Sequence, residues 1–179
     1  MTQGTGGFLN PLEAIKQLNI LTNMWAADFG CGAGFFVIPM AEIVGKDGKV
    51  FALDVMDSAL ESVRSKAKMK GFFNIITKRC NLETLGGSQI ENNSIDLVLL
   101  SNILFQSDNK AGIIKEGARI LKPGGEMAII DWRENQPMGP AKDLITPIDN
   151  VGTMAEENGL KFKKEIQVDK YHWGMIFVK

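Results

Sequence analysis

The sequence predicts an α/β fold, a three-layer sandwich around a mostly parallel seven-stranded sheet that ends in an antiparallel C-terminal hairpin. Short apolar segments alternate with helix-length segments from about residue 24 onward, which is typical of right-handed βαβ units. The segment Ile95–Leu100 is almost entirely apolar, as expected for a strand covered on both faces. The last two strand-like segments, 160–168 and 173–178, leave no room for a crossover helix, so they are expected to pair antiparallel.

The elements follow one another along the chain. Strands are expected at residues 24–29, 50–54, 74–78, 95–100, 127–132, 160–168 and 173–178. Helices are expected at residues 11–18, 35–44, 58–70, 109–121 and 148–158. Asn10 suits the N-cap of the first helix, and Asp57 or Ser58 suits that of the third. Gly71 and the run Lys122-Pro123-Gly124-Gly125 are typical stop signals.

Length and composition favour one globular domain over residues 1–179, with residues 1–10 flexible or covering a cofactor. A formal net charge of -1 offers no electrostatic argument for nucleic-acid binding, so that partner is disfavoured but not excluded. The two cysteines and one histidine lack zinc-ligand spacing, so no metal is expected. Low cysteine content fits a reducing cytoplasm, and we expect neither a signal peptide nor a membrane span.

A glycine-rich turn after the first strand carries the main functional signal. Glycines at positions 30, 32 and 34 allow a tight turn and a close approach of the backbone to a ligand. Dinucleotide-binding turns have a third glycine where this chain has the bulky Phe35. Asp28 precedes the turn, and a carboxylate there suits a cationic amino-acid group better than a pyrophosphate. The turn therefore favours S-adenosylmethionine over NAD.

Asp54 adds a second constraint because it ends the second strand, beside the first. A carboxylate at that position can accept hydrogen bonds from both hydroxyls of a ribose. The alternative is that Asp54 only starts a turn or a helix. We prefer the ligand-binding interpretation because Asp57 and Ser58 already offer caps for the next helix.

Four segments, in this order, resemble motifs of class I S-adenosylmethionine-dependent methyltransferases, whose fold is Rossmann-like. They are Ala27–Phe35, Ala52–Met56, Ile95–Asn102 and Leu121–Glu126. Each motif alone is a weak signal, whereas the four together are a strong one. They span about residues 24 to 132. The segments Ile130–Trp132, Pro137–Pro140 and Tyr171–Gly174 further resemble a small prokaryotic group close to the quinone-biosynthesis, or type 11, methyltransferases.

The resemblance implies a role for each matching residue. Asp28 is expected under the amino-acid end of the cofactor, Asp54 at the ribose, and Asn81 at the adenine amine, where the family often has Asp. Val55 and Met56 are expected to flank the adenine, Leu82 to offer its backbone N–H, and Ser101 to lie near the sulfonium. The full set of expected cofactor-binding residues is Asp28, Gly30, Cys31, Gly32, Gly34, Asp54, Val55, Met56, Asn81, Leu82 and Ser101.

The sequence gives fewer signals for the residues that bind the methyl acceptor. Methyl transfer is an in-line displacement, so positioning contributes most, and a base is needed only if the nucleophile must lose a proton. Strand ends that share the ligand edge carry Phe105, Gln106, Trp132, Arg133, Tyr171 and His172. Trp132, Tyr171 and His172 are the candidate catalytic residues, although His172 also fits an ordinary turn and Trp132 fits core packing.

These observations lead to one principal hypothesis and three alternatives. The principal hypothesis is a methyltransferase acting on a small molecule. The alternatives are a methyltransferase acting on RNA or protein through a recruited partner, a non-catalytic cofactor-binding module and, more distantly, a nicotinamide oxidoreductase. The identity of the acceptor and the oligomeric state are not specified by the sequence.

Overall fold

The computed structural model describes residues 9–179, which contain one seven-stranded sheet. Its strands are β1 (Trp25–Phe29), β2 (Lys49–Asp54), β3 (Ile75–Arg79), β4 (Ile95–Ser101), β5 (Leu121–Trp132), β6 (Lys161–Ile166) and β7 (His172–Val178). They lie in the order β3-β2-β1-β4-β5-β7-β6. The first five strands run parallel, and β7 pairs antiparallel with both β5 and β6. The predicted hairpin is therefore confirmed.

Helices cover both faces of the sheet. They are α1 (Pro11–Ile15), α2 (Val37–Val44), α3 (Asp57–Lys70), α4 (Lys110–Ile120) and α5 (Ile148–Glu157), with a short 3₁₀ turn at Leu104–Gln106. One buried cluster includes side chains of α4 and α5, and a second includes side chains of α1, α2 and α3. The apolar sequence of β4 supplies both clusters, which confirms the predicted three-layer sandwich.

Local signals at two helix ends act as predicted. The Asn10 side chain accepts a hydrogen bond from the backbone N–H of Leu12 and caps α1. Gly71 ends α3 in the left-handed region, at φ 71°. Asn109 caps α4 by accepting from the Gly112 N–H, so this helix also begins where a polar cap precedes an apolar pattern.

Other boundaries differ from the prediction. Helix α2 begins at Val37, two residues later than expected, so Gly34 and Phe35 belong to the turn and not to a helix N-terminus. Neither Asp57 nor Ser58 caps α3, because the N-cap position is occupied by Met56, which makes no side-chain cap. The carboxylate of Asp54 takes that role in part by accepting the Met56 N–H at 2.9 Å.

Strand β5 is longer than expected at its start. The run Lys122-Pro123-Gly124-Gly125, predicted to stop the preceding helix, lies within it. The register between β4 and β5 shifts across this run, between Ile95 and Leu97 of β4. An irregularity of this kind lets a sheet accommodate proline and glycine, whose backbones do not suit regular pairing.

The segment before α1 was expected to be flexible or to cover a cofactor, and most of it, including Phe8, lies outside the described residues. Leu9 is half-buried and packs against the cluster beneath α1 and α2. Strand β6 forms one edge of the sheet, and its residues from Lys161 to Glu165 are exposed. Within residues 9–179, no helix is long and apolar enough to cross a membrane.

Candidate active site

The turn after β1 is tied to the end of β2. The backbone N–H groups of Gly30 and Cys31 both donate to the Leu53 carbonyl oxygen, at 2.8 Å and 3.0 Å. Gly30, Gly32 and Gly34 all have positive φ, which side chains other than glycine adopt at a cost. The predicted need for glycine in this turn therefore has a direct conformational cause.

The three glycines differ in what lies beside them. A Cβ atom at Gly30 would stand 2.7 Å from the Ile103 side chain, and one at Gly34 would stand 2.9 Å from Val63 on α3. A Cβ atom at Gly32 would meet no heavy atom within 4 Å. Gly30 and Gly34 thus serve packing, whereas Gly32 faces open space where a ligand can approach the backbone.

Asp54 connects this turn to the start of α3. One carboxylate oxygen accepts the Gly32 N–H at 2.9 Å, and the other accepts the Met56 N–H at the same distance. Because each carboxylate oxygen has two acceptor sites, both oxygens keep capacity for a ligand hydroxyl. Asp54 therefore both initiates a turn and presents a carboxylate to the cavity, so the two interpretations of the sequence are compatible.

A cavity of about 300 Å³ opens beyond the carboxyl ends of β1, β2 and β3. This size lies at the lower end of the range for small-molecule sites, at the sheet edge where α/β proteins bind ligands. Seven residues predicted to bind the cofactor line it: Gly30, Gly32, Asp54, Val55, Met56, Asn81 and Leu82. The lining is completed by Ala59, Glu83, Ile103, Gln106, Ser107 and Ile113.

Four predicted cofactor residues lie outside this lining. Asp28 and Cys31 are buried at the end of β1 and in the turn. Gly34 contacts α3, and Ser101 is half-buried at the end of β4. Burial, with a smaller contribution from Asp54, raises the pKa of Asp28 to about 7. Burial also raises the pKa of the Cys31 thiol, which keeps it a poor nucleophile.

Glu83 and Ser107 were missed in the sequence, although both line the cavity. The Ser107 hydroxyl donates to Glu83 Oε1 at 2.6 Å, and the Asp108 N–H donates to the same oxygen at 3.2 Å. The Ser107 hydrogen bond lowers the pKa of Glu83. The bond joins the segment after β3 to the segment after β4. Neither residue is adjacent to a glycine or charge motif, so only the position of each after a strand end was available as a signal.

The acceptor candidates gather at the ends of β5 and β7. Trp132 pairs with His172 across the two strands, and their ring centroids are 4.2 Å apart. The Arg133 Nε–H donates to the His172 carbonyl oxygen at 2.8 Å, and Tyr171 is buried beside them. Gln106 lies instead in the lining of the cavity. The predicted set therefore divides into two neighbouring groups.

Asp131 connects these two groups through its buried carboxylate. One oxygen accepts the backbone N–H of Leu104 at 3.0 Å, and the other accepts that of Trp132 at 2.8 Å. Burial raises the pKa of Asp131 to about 6, although these backbone hydrogen bonds oppose the shift. The 3₁₀ turn that carries Gln106 is thereby attached to the end of β5.

Comparison with known proteins agrees with this geometry, since a methyltransferase domain family matches residues 21–175. The chain belongs to this family. A solved S-adenosylmethionine-dependent methyltransferase from Aquifex aeolicus superposes with a TM-score of 0.83, at 25% identity over 94% of this chain and 89% of its own. A putative type 11 methyltransferase from Sulfolobus solfataricus gives a TM-score of 0.70 at 28% identity, over 86% of this chain and 82% of its own.

Curated relatives indicate a narrower group. A demethylmenaquinone methyltransferase of Lactococcus lactis is 31% identical over 123 residues, which are 66% of this methyltransferase-family chain and 46% of the relative. The corresponding protein of Geobacillus stearothermophilus is 30% identical over 113 residues, 63% of this chain and 47% of its own. The chain thus spans about half the length of the curated relatives it matches. The predicted fold and the resemblance to methyltransferases of the quinone-biosynthesis group are confirmed.

Proposed function

We propose that this chain transfers a methyl group from S-adenosylmethionine to a small-molecule acceptor. The observation that carries the proposal is the juxtaposition of Gly32 and Asp54 at the cavity. An open backbone position and a carboxylate with free acceptor capacity stand together, as a ribose with two hydroxyls requires. When bound, the cofactor supplies an electrophilic methyl group on a positively charged sulfonium.

The residues that line the cavity fit the ribose and adenine of that cofactor. Asp54 would hold the ribose, and the exposed side chains of Val55 and Met56 would flank the adenine. Asn81 would accept a hydrogen bond from the adenine amine, and the Leu82 N–H would bond a ring nitrogen. The Asn81 side chain oxygen already accepts the Glu83 N–H at 2.9 Å, which fixes its orientation and leaves one acceptor site on that oxygen.

The amino-acid end would lie over the glycine turn. Asp28, buried beneath the turn, would compensate the cationic amine at a distance. The backbone at Gly30, Cys31, Gly32 and Gly34 would contact this end, and Ser101 would lie near the sulfonium. Trp132, Tyr171 and His172 would border the acceptor.

The relatives' names support a quinone-like small molecule as the acceptor. A cytoplasmic location is part of the same proposal, supported by the low cysteine content and by two free thiols. Methylation of RNA or protein and a role as a cofactor-binding module are the alternatives that the experiment separates.

Calorimetry with S-adenosylhomocysteine tests the cofactor half. We expect micromolar or tighter binding, weakened in an Asp54→Ala variant and unchanged in an Asp57→Ala variant, since Asp57 bonds the exposed Arg79 outside the cavity lining. Transfer of a labelled methyl group to a panel of small hydroxylated aromatics, RNA and proteins then tests the acceptor. Absence of any binding by the folded chain would refute the proposal.

A further inference from the structure

The register of the sheet brings four polar or aromatic side chains to one face near the carboxyl edge. Asp28 of β1 is paired with a residue of β4, and Ser101 lies two positions after that residue on the same strand. Ser101 is in turn paired with a residue of β5 that lies two positions before Trp132. Trp132 lies opposite His172. Because residues two apart on a strand share a face and paired residues lie side by side, all four face the same way. His172 is therefore on the same face as the proposed methyl-donor end.

Asp169 holds the imidazole of His172 in a fixed orientation. Both carboxylate oxygens lie 2.9 Å from Nδ1 of His172. The carboxylate is itself held by the backbone N–H groups of Tyr171 and His172, at 2.7 Å and 2.8 Å from Oδ1. A carboxylate accepts and cannot donate, so Nδ1 carries the proton and Nε2 is left as the basic nitrogen.

Nε2 of His172 has no hydrogen-bond partner within the described part of the chain. The side chain is 2% exposed, so water does not compensate for the missing bond. Nε1 of Trp132, whose ring contacts the same imidazole at an interplanar angle of 42°, is also buried and has no hydrogen-bond partner among the described residues. A buried polar atom without a hydrogen-bond partner is destabilising, so two such atoms in contacting rings indicate a place where a ligand supplies the missing groups.

We propose that Asp169 and His172 form a base that removes the proton from an acidic hydroxyl of the methyl acceptor, a phenol or an enol. Asp169 is the positioning residue and His172 is the catalytic residue. A hydroxyl matches the site because it donates to Nε2 of His172 and its oxygen accepts from a donor such as Trp132 Nε1. This inference rests on the proposed methyltransferase function and specifies its substrate class.

The step balances without any further reactant. The O–H bond breaks, its electron pair stays on the acceptor oxygen and its conjugated ring, and the proton goes to Nε2 of His172. The acceptor oxygen would then form a bond to the methyl carbon of the bound donor, whose carbon–sulfur bond would break with its electron pair remaining on sulfur. The imidazolium, stabilised by Asp169, then returns its proton to solvent.

Access to Nε2 requires the loop after β5 to shift. Gly139 in that loop lies against the indole of Trp132, where a Cβ atom would be 2.7 Å from the ring. The indole in turn contacts the imidazole, with the ring centroids 4.2 Å apart. The acceptor would therefore reach His172 by displacing or sliding along Trp132, which presents a flat apolar surface to an aromatic ring.

The chain contains one histidine, so its imidazole is observed alone by nitrogen-15 NMR. We expect the wild type to carry the proton on Nδ1, and an Asp169→Asn variant to lose this tautomer preference. Addition of 1-naphthol with saturating S-adenosylhomocysteine should shift the Nε2 resonance, and 1-methoxynaphthalene, which lacks the donor, should not. A proton on Nε2 in the wild type, or equal responses to the two probes, would overturn the proposal.

Kinetic measurements on an acceptor that the wild type methylates give a second test of the proposal. A His172→Gln variant should lose about 100-fold or more in kcat, with KM for S-adenosylmethionine within about threefold of wild type. Asp169→Asn should lower kcat in the same direction. Unchanged S-adenosylhomocysteine binding shows that each variant is folded. If His172→Gln turns over at the wild-type rate while binding persists, the base is refuted and the proposed function stands; if the wild type does not bind S-adenosylhomocysteine, the proposed function fails.

Discussion

The carboxylate of Asp54 accepts the backbone N–H of Gly32 at 2.9 Å, so the end of β2 holds the glycine turn that follows β1. The same side chain faces the cavity, where it is proposed to bind the ribose. One residue thus shapes the turn and meets the ligand. Substitutions here are expected to affect binding more than folding.

An Asp54→Ala substitution is expected to weaken S-adenosylhomocysteine binding by about 10-fold to 100-fold, because hydrogen bonds to a charged group contribute about 1.5–3 kcal/mol. Isothermal titration calorimetry measures the loss. Asp57→Ala, which removes only an exposed ion pair with Arg79, is the matched control. Equal affinities of the two variants would contradict a ribose-binding role for Asp54.

Alanine substitutions at Gly30 and Gly32 should distinguish a glycine needed for packing from one needed for contact with the ligand. Gly30→Ala is expected to cost about 1–3 kcal/mol of unfolding free energy, since the new methyl group meets Ile103 and φ is 73°. Gly32→Ala, which meets no atom, should cost only about 1 kcal/mol from its positive φ, yet weaken cofactor binding more. Denaturant unfolding and calorimetry on both variants test this contrast, and a reversed order would count against it.

Because the pKa of Asp28 is raised, its contribution to the unfolding free energy should depend on pH and be largest at low pH. Its pKa is about 7 in the folded protein and about 3.9 when unfolded, so its contribution is full below pH 4 and lost as pH rises through 7. Between pH 5 and pH 8, the wild type should lose about 2–3 kcal/mol relative to Asp28→Asn. Urea unfolding at the two pH values measures the difference. Asp47→Asn, at an exposed turn, is the matched control variant.

Glu116 has the opposite dependence on pH. Burial raises its pKa, but hydrogen bonds from Arg119, Ser88 and Gly86 more than offset this and hold the pKa at about 2. Its stabilising contribution is present above its unfolded pKa of about 4.3 and is lost as pH falls towards 2.

Glu116→Gln should therefore destabilise the fold at pH 7 by about 3 kcal/mol, because a buried ion pair is broken on one side. Glu61→Gln removes an exposed pair with Arg64 of the same spacing and should cost less than about 0.5 kcal/mol. Thermal unfolding of both variants gives the comparison. Similar losses would mean that the network around Glu116 contributes no more than a surface pair.

The fold was largely predictable because its signals are periodic and local. The apolar run of β4 and the short gap before β7 were enough to indicate a covered parallel sheet and a terminal hairpin. The N-cap of α3 was predicted wrongly because the prediction used only the capping propensities of Asp57 and Ser58 themselves. In the structure, Asp54 on the preceding strand supplies a hydrogen bond there instead.

The candidate site was predictable where backbone geometry demanded glycine and a strand end carried a carboxylate. Glu83 and Ser107 escaped prediction because their contact joins segments 24 positions apart, which no local pattern encodes. The contact of Asp169 with His172 was not predicted, since it depends on how the chain folds back before β7. Contacts of this kind are decided by tertiary packing.

The exposed edge strand β6 has a consequence for how the protein behaves at high concentration. Lysines at positions 161, 163 and 164 project from its exposed residues, and its pairing with β7 is irregular between Phe162 and Lys164. Charge and irregularity both discourage a second sheet from adding to a free edge. These features therefore protect the backbone of the edge strand from edge-to-edge aggregation. Neutralising the three lysines would remove much of this protection.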